Sequence, residues 1–255
     1  MNSEQVRFVF TDVGDTLLRN GQLLPEVLTA MYQLSQQGIV VVPVTGASAG
    51  AGEAMIRQWP VKLLIAENGA VAYTQNNGVV TRHSWLPLAE LQAQQQEVLA
   101  MIANVEPRLA LASDQPFRLA DVAINVAQDN ASLDAELINR VVAAVNERGW
   151  QYGLSSIHLN IWQANYNKAQ AIVRWMHDLL GVDQDELALY SACIGDSPND
   201  AAMFARIPRS FGINGWQNHR EDFTDEPAIT LGNGAGWGFV ELAHKLLAVD
   251  YWDEE

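Results

Sequence analysis

Val9-Phe10-Thr11-Asp12-Val13-Gly14-Asp15-Thr16 and, about 180 residues later, Cys193-Ile194-Gly195-Asp196-Ser197-Pro198-Asn199-Asp200 decide how this chain folds. Each is a short apolar run that ends in carboxylates and glycine. Such a run reads as a buried parallel strand delivering charge to its C-terminal edge. In open α/β sheets, ligands bind at that edge. Two such edges side by side gather several carboxylates around one point. Carboxylates that close raise each other's pKa unless a cation sits among them. Hard oxygen donors of this kind suit Mg²⁺. The two stretches together predict a Mg²⁺ site on a parallel sheet.

Working outward, Val6–Phe10 reads as the first strand. Pro25 opens a helix that runs to about Gln37, where Gly38 closes it. Ile39–Val44 is a β-branched strand, Ala49–Trp59 a helix stopped by Pro60, and Leu63–Ala66 a third strand. This β-α-β-α-β order implies a parallel sheet. The pattern then changes. Ala70–Tyr73 and Val79–His83 flank Asn76-Asn77-Gly78, a hairpin signal. A helix over Leu86–Val105, an extended segment over Phe117–Val126, a helix over Leu133–Arg148 and strands at Gln151–Leu154 and Ile157–Trp162 follow. The alternation resumes with a helix at Lys168–Leu180, a strand at Leu187–Ile194, a helix at Pro198–Ala205, a short strand at Arg209–Ile213 and a helix at Phe239–Ala248. The expected architecture is α/β: a Rossmann-like parallel-sheet core from residues 1–79 and 167–255, with an inserted α+β unit at 80–166. Asp250–Glu255 read as a solvated acidic tail.

Composition narrows the function. Thirty acidic residues against 15 Lys and Arg give a net charge of −15. So acidic a surface repels nucleic acid and anionic membranes, and neither is expected as a partner. No apolar run approaches the ~20 residues of a membrane span. No basic-then-apolar leader precedes the first strand. The single cysteine, Cys193, cannot form an internal disulfide and reads as buried packing. These features predict a soluble cytoplasmic protein, a monomer or weak homodimer. The eight tryptophans, Trp175 among them, read mostly as core.

Four motifs in order carry a resemblance: Asp12-Val13-Gly14-Asp15-Thr16, Val44-Thr45-Gly46, Asn167-Lys168 and Gly195-Asp196-Ser197-Pro198-Asn199-Asp200. Glu67-Asn68-Gly69-Ala70 and Gly236-Trp237-Gly238-Phe239 add to it. Together they resemble the haloacid dehalogenase superfamily, in particular its Cof-like phosphatases with a large α+β cap, a group that includes sucrose-phosphate and mannosyl-phosphoglycerate phosphatase-like members. The resemblance implies a Mg²⁺-dependent phosphohydrolase acting on a small phosphorylated substrate such as a sugar phosphate. Asp12 would be the nucleophile that forms an aspartyl-phosphate. Thr45 and the backbone N–H of Gly46 would bind the phosphoryl oxygens. Lys168, an unfavourable cation at a helix N-terminus, would pair with Asp12 and the phosphoryl group. Asn199 would donate to phosphate. Asp12, the carbonyl of Gly14, Asp196 and Asp200 would serve the metal, with Asp200 acting through water or by orienting Lys168. Position 47 is Ala where many relatives carry Arg.

One departure matters. The family's first motif usually reads Asp-x-Asp-Gly-Thr, whereas here Gly14 and Asp15 are exchanged. The usual acid/base two residues after the nucleophile is therefore absent. Asp15 could replace it, or could simply close an Asx-turn. In a regular strand, Asp15 would point away from Asp12. A phosphotransferase, a slow phosphatase and a non-catalytic phosphosugar-binding protein are the alternatives. In the cap, the resemblance implies that Arg118, Asn125, Ser156 and His158, with Arg82 and His83, are candidates for specificity. Period-2 alternation puts Ser156 and His158 on one face. Arg118 could hold a second phosphate or a carboxylate bidentately, and His158 also has a plain structural reading.

Overall fold

The computed structural model describes residues 6–127 and 133–248, so the acidic tail expected at 250–255 lies outside the described residues. Strand β1 (Phe8–Thr11) is buried throughout. Phe8 and Phe10 face one helix layer and Val9 the other. A two-stranded hairpin follows, β2 (Leu18–Arg19) and β3 (Gln22–Leu23), turned by Asn20 and Gly21 at φ 52° and 73°. Next come α1 (Pro25–Gln36), β4 (Val40–Pro43), α2 (Ala49–Gln58) and β5 (Leu63–Ala66). The hairpin β6 (Val71–Asn76) and β7 (Val79–Ser84) turns at Asn77 and Gly78, both at positive φ. Its second strand straddles position 80, where the insert was expected to begin.

The insert carries α3 (Leu88–Val105), β8 (Val122–Asn125), α4 (Ala135–Glu147), β9 (Gln151–Leu154) and β10 (His158–Trp162). The expected extended segment from Phe117 is a strand only over β8, and a 3₁₀ turn at Gln115–Phe117 precedes it. The remaining elements are α5 (Lys168–Leu180), α6 (Gln184–Tyr190), β11 (Ser191–Gly195), α7 (Ala201–Arg206), β12 (Arg209–Gly212), β13 (Ile229–Thr230) and α8 (Trp237–Leu247).

The strand order β13-β12-β11-β1-β4 is parallel throughout. A parallel bridge between Val44 and Ile65 passes it on to the antiparallel β5-β6-β7 ribbon. One helix layer packs Met31 and Leu34 of α1 and Phe239 of α8 on Val9 and Val41. The other packs Ile172, Trp175 and Met176 of α5 and Met203 of α7 on Phe10, Val42 and Cys193. The insert has its own core, where α3 and α4 bury Val98, Ile102, Val141 and Val145 on Ile124 and Ile161 of an antiparallel β8-β10-β9 sheet. The α/β class is therefore as expected. Among the described residues, no helix is long and apolar enough to cross a membrane.

Register places the site. Thr11 lies opposite Ile194 on one side and Pro43 on the other. The residues just beyond, Asp12, Gly195 and Val44, therefore lie together at one edge of the sheet. Two further expectations are corrected. Leu187–Tyr190 is not strand: it forms the last turn of α6, and β11 starts at Ser191. The Asp183 carboxylate accepts from the Glu186 amide while Glu186 reaches back to the Asp183 amide, a capping box that commits these residues to helix. The expected helix from Pro198 is likewise a 3₁₀ turn, Pro198–Asp200, leading into α7. Asp183→Ala should lower the urea unfolding free energy by about 1 kcal/mol, the ordinary worth of a helix cap.

Candidate active site

Asp12 follows β1 and is 5% exposed. Lys168, the first residue of α5, reaches across the sheet edge so that its Nζ donates to Asp12 Oδ1 at 2.6 Å and Asp200 Oδ1 at 2.7 Å. It also donates to Asn199 Oδ1 at 3.2 Å. Asp200 Oδ2 accepts the amides of Asp196 and Ser197 at 3.0 and 3.2 Å, which folds the 195–200 loop around its own carboxylate. That loop is tight: a Cβ at Gly195 would lie 2.4 Å from Asp200 Oδ2, so only glycine fits. Asp196 Oδ1 accepts from Thr16 Oγ1 at 2.7 Å, tying the first motif to the last.

Asp12, Asp196 and Asp200 bring one carboxylate oxygen each within 4.8 Å of one another. Three carboxylates face one ammonium there. Burial pushes the Asp12 carboxyl up to about 7, with Lys168 pulling it down and Asp200 adding to the rise. Burial, then Asp12 and Asp200, also raise Asp196 well above the usual carboxylate range. Burial opposes charge on Lys168 too, yet Asp12 and Asp200 hold its pKa above the ordinary value. The cluster is short of positive charge, and its all-oxygen donor set is one a hard divalent cation would satisfy.

Thr45 is buried beside this cluster, and its Oγ1 accepts the Ala47 amide at 3.0 Å. The Gly14 carbonyl accepts the Thr16 amide at 2.6 Å. Asn199 Oδ1 is engaged by Lys168 and by Ser197 Oγ at 2.8 Å, which directs its amide nitrogen elsewhere. Asp12, Gly14, Asp15, Thr45, Gly46, Asp196 and Asn199 all line one cavity of ≈ 470 Å³, to which the insert contributes Asp114, Arg118 and His158. The structure thus gathers the core residues singled out from sequence.

Two expectations change. Residues 14–17 form a turn, so strand alternation does not govern Asp15. Asp15 sits at φ 52° and accepts a 2.7 Å hydrogen bond from Ser156 Oγ in the insert. Its carboxylate is bonded to the cap rather than aimed at Asp12. Arg118 lines the cavity but is not free to take a substrate anion as expected. Its Nε and Nη2 bond both oxygens of Asp114 at 3.1 and 2.9 Å. Its Nη1 bonds Asp121 Oδ1 at 2.8 Å and the Gly46 carbonyl at 3.0 Å. His158 and Ser156 both line the cavity, although Ser156 lies in the turn before β10. Asn125, Arg82 and His83 do not line it. His83 instead pairs with Thr74 across the β6–β7 ribbon at 3.1 Å.

Several site residues escaped sequence reading. Leu18, Asn20 and Gly21 of the β2–β3 hairpin, and Asp114, Ser155 and Asn160, are cavity walls. The Asn20-Gly21 pair was the available signal for the hairpin. Glu67, fully buried, ties core to insert: Oε1 accepts the amides of Ala49 and Leu119 at 2.8 Å. Its Oε2 accepts those of Ala120 and Asp121 at 2.8 and 3.1 Å. Burial and the nearby Asp121 push its carboxyl up to about 7 against the pull of those amides. Glu67 and Asn68 both adopt positive φ, 47° and 56°, a strained pair held by this network.

Residues 9–99 match the family model described as haloacid dehalogenase-like hydrolase. No curated protein matches the chain by sequence. Among solved structures, a Thermoplasma acidophilum protein is similar at TM-score 0.74 and 16% identity, covering 96% of this chain and 99% of that one. The sucrose-phosphatase of Synechocystis, solved with sucrose and phosphate, is similar at TM-score 0.70 and 16% identity over 95% and 98%. A haloacid dehalogenase-like hydrolase from Bacteroides thetaiotaomicron is similar at TM-score 0.67 and 14% identity over 95% and 100%. At such identities the likeness carries the fold.

A pH dependence of stability follows. Asp12 and Glu67 titrate near 7 in the folded chain, against ordinary values of 3.8 and 4.5. Between those limits the folded state binds more protons than the unfolded one. Their contribution is therefore full below the ordinary values and is lost as pH rises through about 7. Urea midpoints of the metal-free protein should fall from pH 5 to pH 8. Glu67→Gln should flatten that slope. It should also lower stability near pH 5 by about 1–3 kcal/mol, because its NH₂ must face amide donors, and the deficit should shrink as pH rises.

Proposed function

We propose that this chain, whose residues 9–99 match the haloacid dehalogenase-like hydrolase model, is a phosphohydrolase of that kind acting on a small sugar phosphate or similar phosphometabolite. The observation that carries this reading is the buried Asp12–Lys168–Asp200 chain of contacts, of which Asp12 lines the cavity. Asp12 Oδ1 is held by the ammonium, and Asp12 attacks the phosphorus through its other oxygen. The P–O bond to the leaving alkoxide breaks as the aspartyl-phosphate forms, the alkoxide taking its proton from solvent, and water then cleaves that acyl phosphate to return the carboxylate and release phosphate. Lys168 offsets charge on Asp12 and on the phosphoryl oxygens. The Thr45 hydroxyl and the Gly46 amide bind those oxygens, with the Asn199 amide nitrogen as a further donor. Asp200 positions Lys168 and shapes the 195–200 loop.

Asp12, Asp196 and the Gly14 carbonyl would hold Mg²⁺, with Asp200 behind them, and the ion would neutralise charge on the transferred group. We assign residues 1–79 and 167–255 to the catalytic core and 80–166 to the cap that covers the substrate. The fold shared with the Synechocystis sucrose-phosphatase supports a sugar-like leaving group. A single buried cysteine is compatible with the cytoplasm, the compartment we propose.

Proton supply to the leaving oxygen is the weak step, since position 14 offers no carboxyl and Asp15 is bonded to Ser156. Esters with good leaving groups should therefore turn over best. With Mg²⁺, the protein should release phosphate from p-nitrophenyl phosphate, and Asp12→Asn should abolish release. Failure of the wild type to turn over with any divalent metal would reject the reading. Gly14→Asp has room, because an added Cβ meets only Asp12 Oδ2, at 4.0 Å. It should raise turnover of alkyl phosphates by about 10²-fold, the low end of general-acid catalysis, and that of the aryl ester far less. A loss on both would show that the exchanged motif depends on glycine at 14.

A further inference from the structure

Away from Asp12, the cavity is walled by the insert and the β2–β3 hairpin. Arg118 is its only Lys or Arg among the described residues. A buried guanidinium in a substrate cavity normally advertises an anionic partner. This one is already taken. Its side chain is 0% exposed, and it is bonded to Asp114, Asp121 and the Gly46 carbonyl as described above. Two carboxylates on one guanidinium leave the group net negative. Asn160 braces it from the other side, donating to Asp121 Oδ2 at 2.8 Å and to the Gly46 carbonyl at 3.3 Å. The guanidinium therefore cannot swing toward the cavity without stranding a buried carboxylate. Burial, then Arg118, lower the pKa of His158, which leaves that ring neutral at pH 7. The other polar walls, Asn20, Ser155 and Ser156, are neutral, and Asp15 is a carboxylate.

We propose that this cavity selects phosphomonoesters whose leaving group is uncharged, a polyol or neutral sugar. It rejects those carrying a second anion, such as bisphosphates and phosphorylated carboxylic acids, because Asp114 and Asp121 have already neutralised Arg118. A second anion would have to sit unpaired beside Asp15 and Asp114 or pull Arg118 from its partners, and both act as repulsive elements against the wrong substrate. This inference rests on the phosphohydrolase reading and narrows it.

Matched pairs that share a phosphate and differ in one charge test it: glucose 6-phosphate against 6-phosphogluconate, and glycerol 3-phosphate against 3-phosphoglycerate. With Mg²⁺, the neutral member should have the higher kcat/KM by at least about tenfold. Where neither is turned over, inhibition constants against p-nitrophenyl phosphate should show the same ratio. Equal values, or preference for the acidic member, with aryl turnover intact would overturn the selection and leave the reaction standing. Absence of aryl turnover would overturn the reaction instead. The selection is then read from thermal shifts given by each pair with Mg²⁺, equal shifts counting against it. Asp114→Asn strips one carboxylate from Arg118 and should lower the ratio at least about threefold. An unchanged ratio in folded Asp114→Asn would show that Arg118 is not its source. Should that variant fail to fold, the wild-type ratios still decide.

Discussion

The Lys168 ammonium, held between Asp12 and Asp200, is the contact on which the site's geometry rests. It joins positions 156 and 32 residues apart in sequence. It does so where three strand ends meet, because Thr11 is registered with both Ile194 and Pro43. A buried ammonium without anions is untenable, and so are buried carboxylates without a cation. Each member therefore requires the others. Asp200 makes the dependence structural as well as electrostatic: one oxygen holds Lys168 while the other accepts the amides of its own loop. The same carboxylate thus sets the shape of the loop and the place of the charge. The remaining excess of carboxylate is what gives this edge an appetite for a further cation.

The insert is attached to the core by polar contacts as well as by apolar ones, for Leu91, Ala120 and Trp162 join the core's own buried cluster. Its helices and sheet bury their own apolar residues. Glu67 accepts three consecutive amides of the insert, Leu119 to Asp121, while also accepting the Ala49 amide at the start of α2. Arg118 and Asn160 both donate to the carbonyl of Gly46. The residue that follows Thr45 is therefore fixed from the insert side. Under the proposed function, phosphoryl binding and cap position share one backbone unit, so a shift of the cap is felt at the phosphate.

Much of this was legible in the chain because the signals were local. Apolar runs ending in Asp12 and Asp196 marked the sheet edge, and Asn77-Gly78 marked a turn. Lys168 at a helix N-terminus, against the helix dipole, signalled a tertiary partner. The failures were of two physical kinds. Leu187 to Tyr190 run on into Ser191-Ala192-Cys193-Ile194 without a break in polarity. Period alone could not place the helix end, although Asp183-x-x-Glu186 announced its start. Arg118 failed for a different reason. Asp114 lies four residues before it, but the decisive partners, Asp121 and Gly46, depend on how the insert sits on the core. Glu67 was legible as an oddity, an acid closing an apolar strand, yet its amide donors lie 52 to 54 residues away in the insert.

The exchange of Gly14 and Asp15 is best understood through backbone and charge together. Position 15 adopts φ 52°, a region that glycine tolerates freely and aspartate better than most residues. An aspartate there needs no rearrangement of the turn. Gly14 is not among the residues at positive φ, so the conformation does not demand glycine at that position. What glycine does there is leave space beside Asp12, where a side chain would meet only Oδ2. Burial already pushes Asp12 up to about 7, and Asp200 pushes the same way. A further carboxylate at 14 would raise it more, since like charges disfavour ionisation, and Lys168 is already shared. Moving the acid to 15 spares Asp12 that neighbour and binds the cap through Ser156. It also leaves no carboxyl at 14 to protonate a departing alkoxide under the proposed reaction. Under the proposed reaction, Asp12 attacks in a better-ionised state while the leaving group must supply its own stability, so the chemistry of the ester sets the rate.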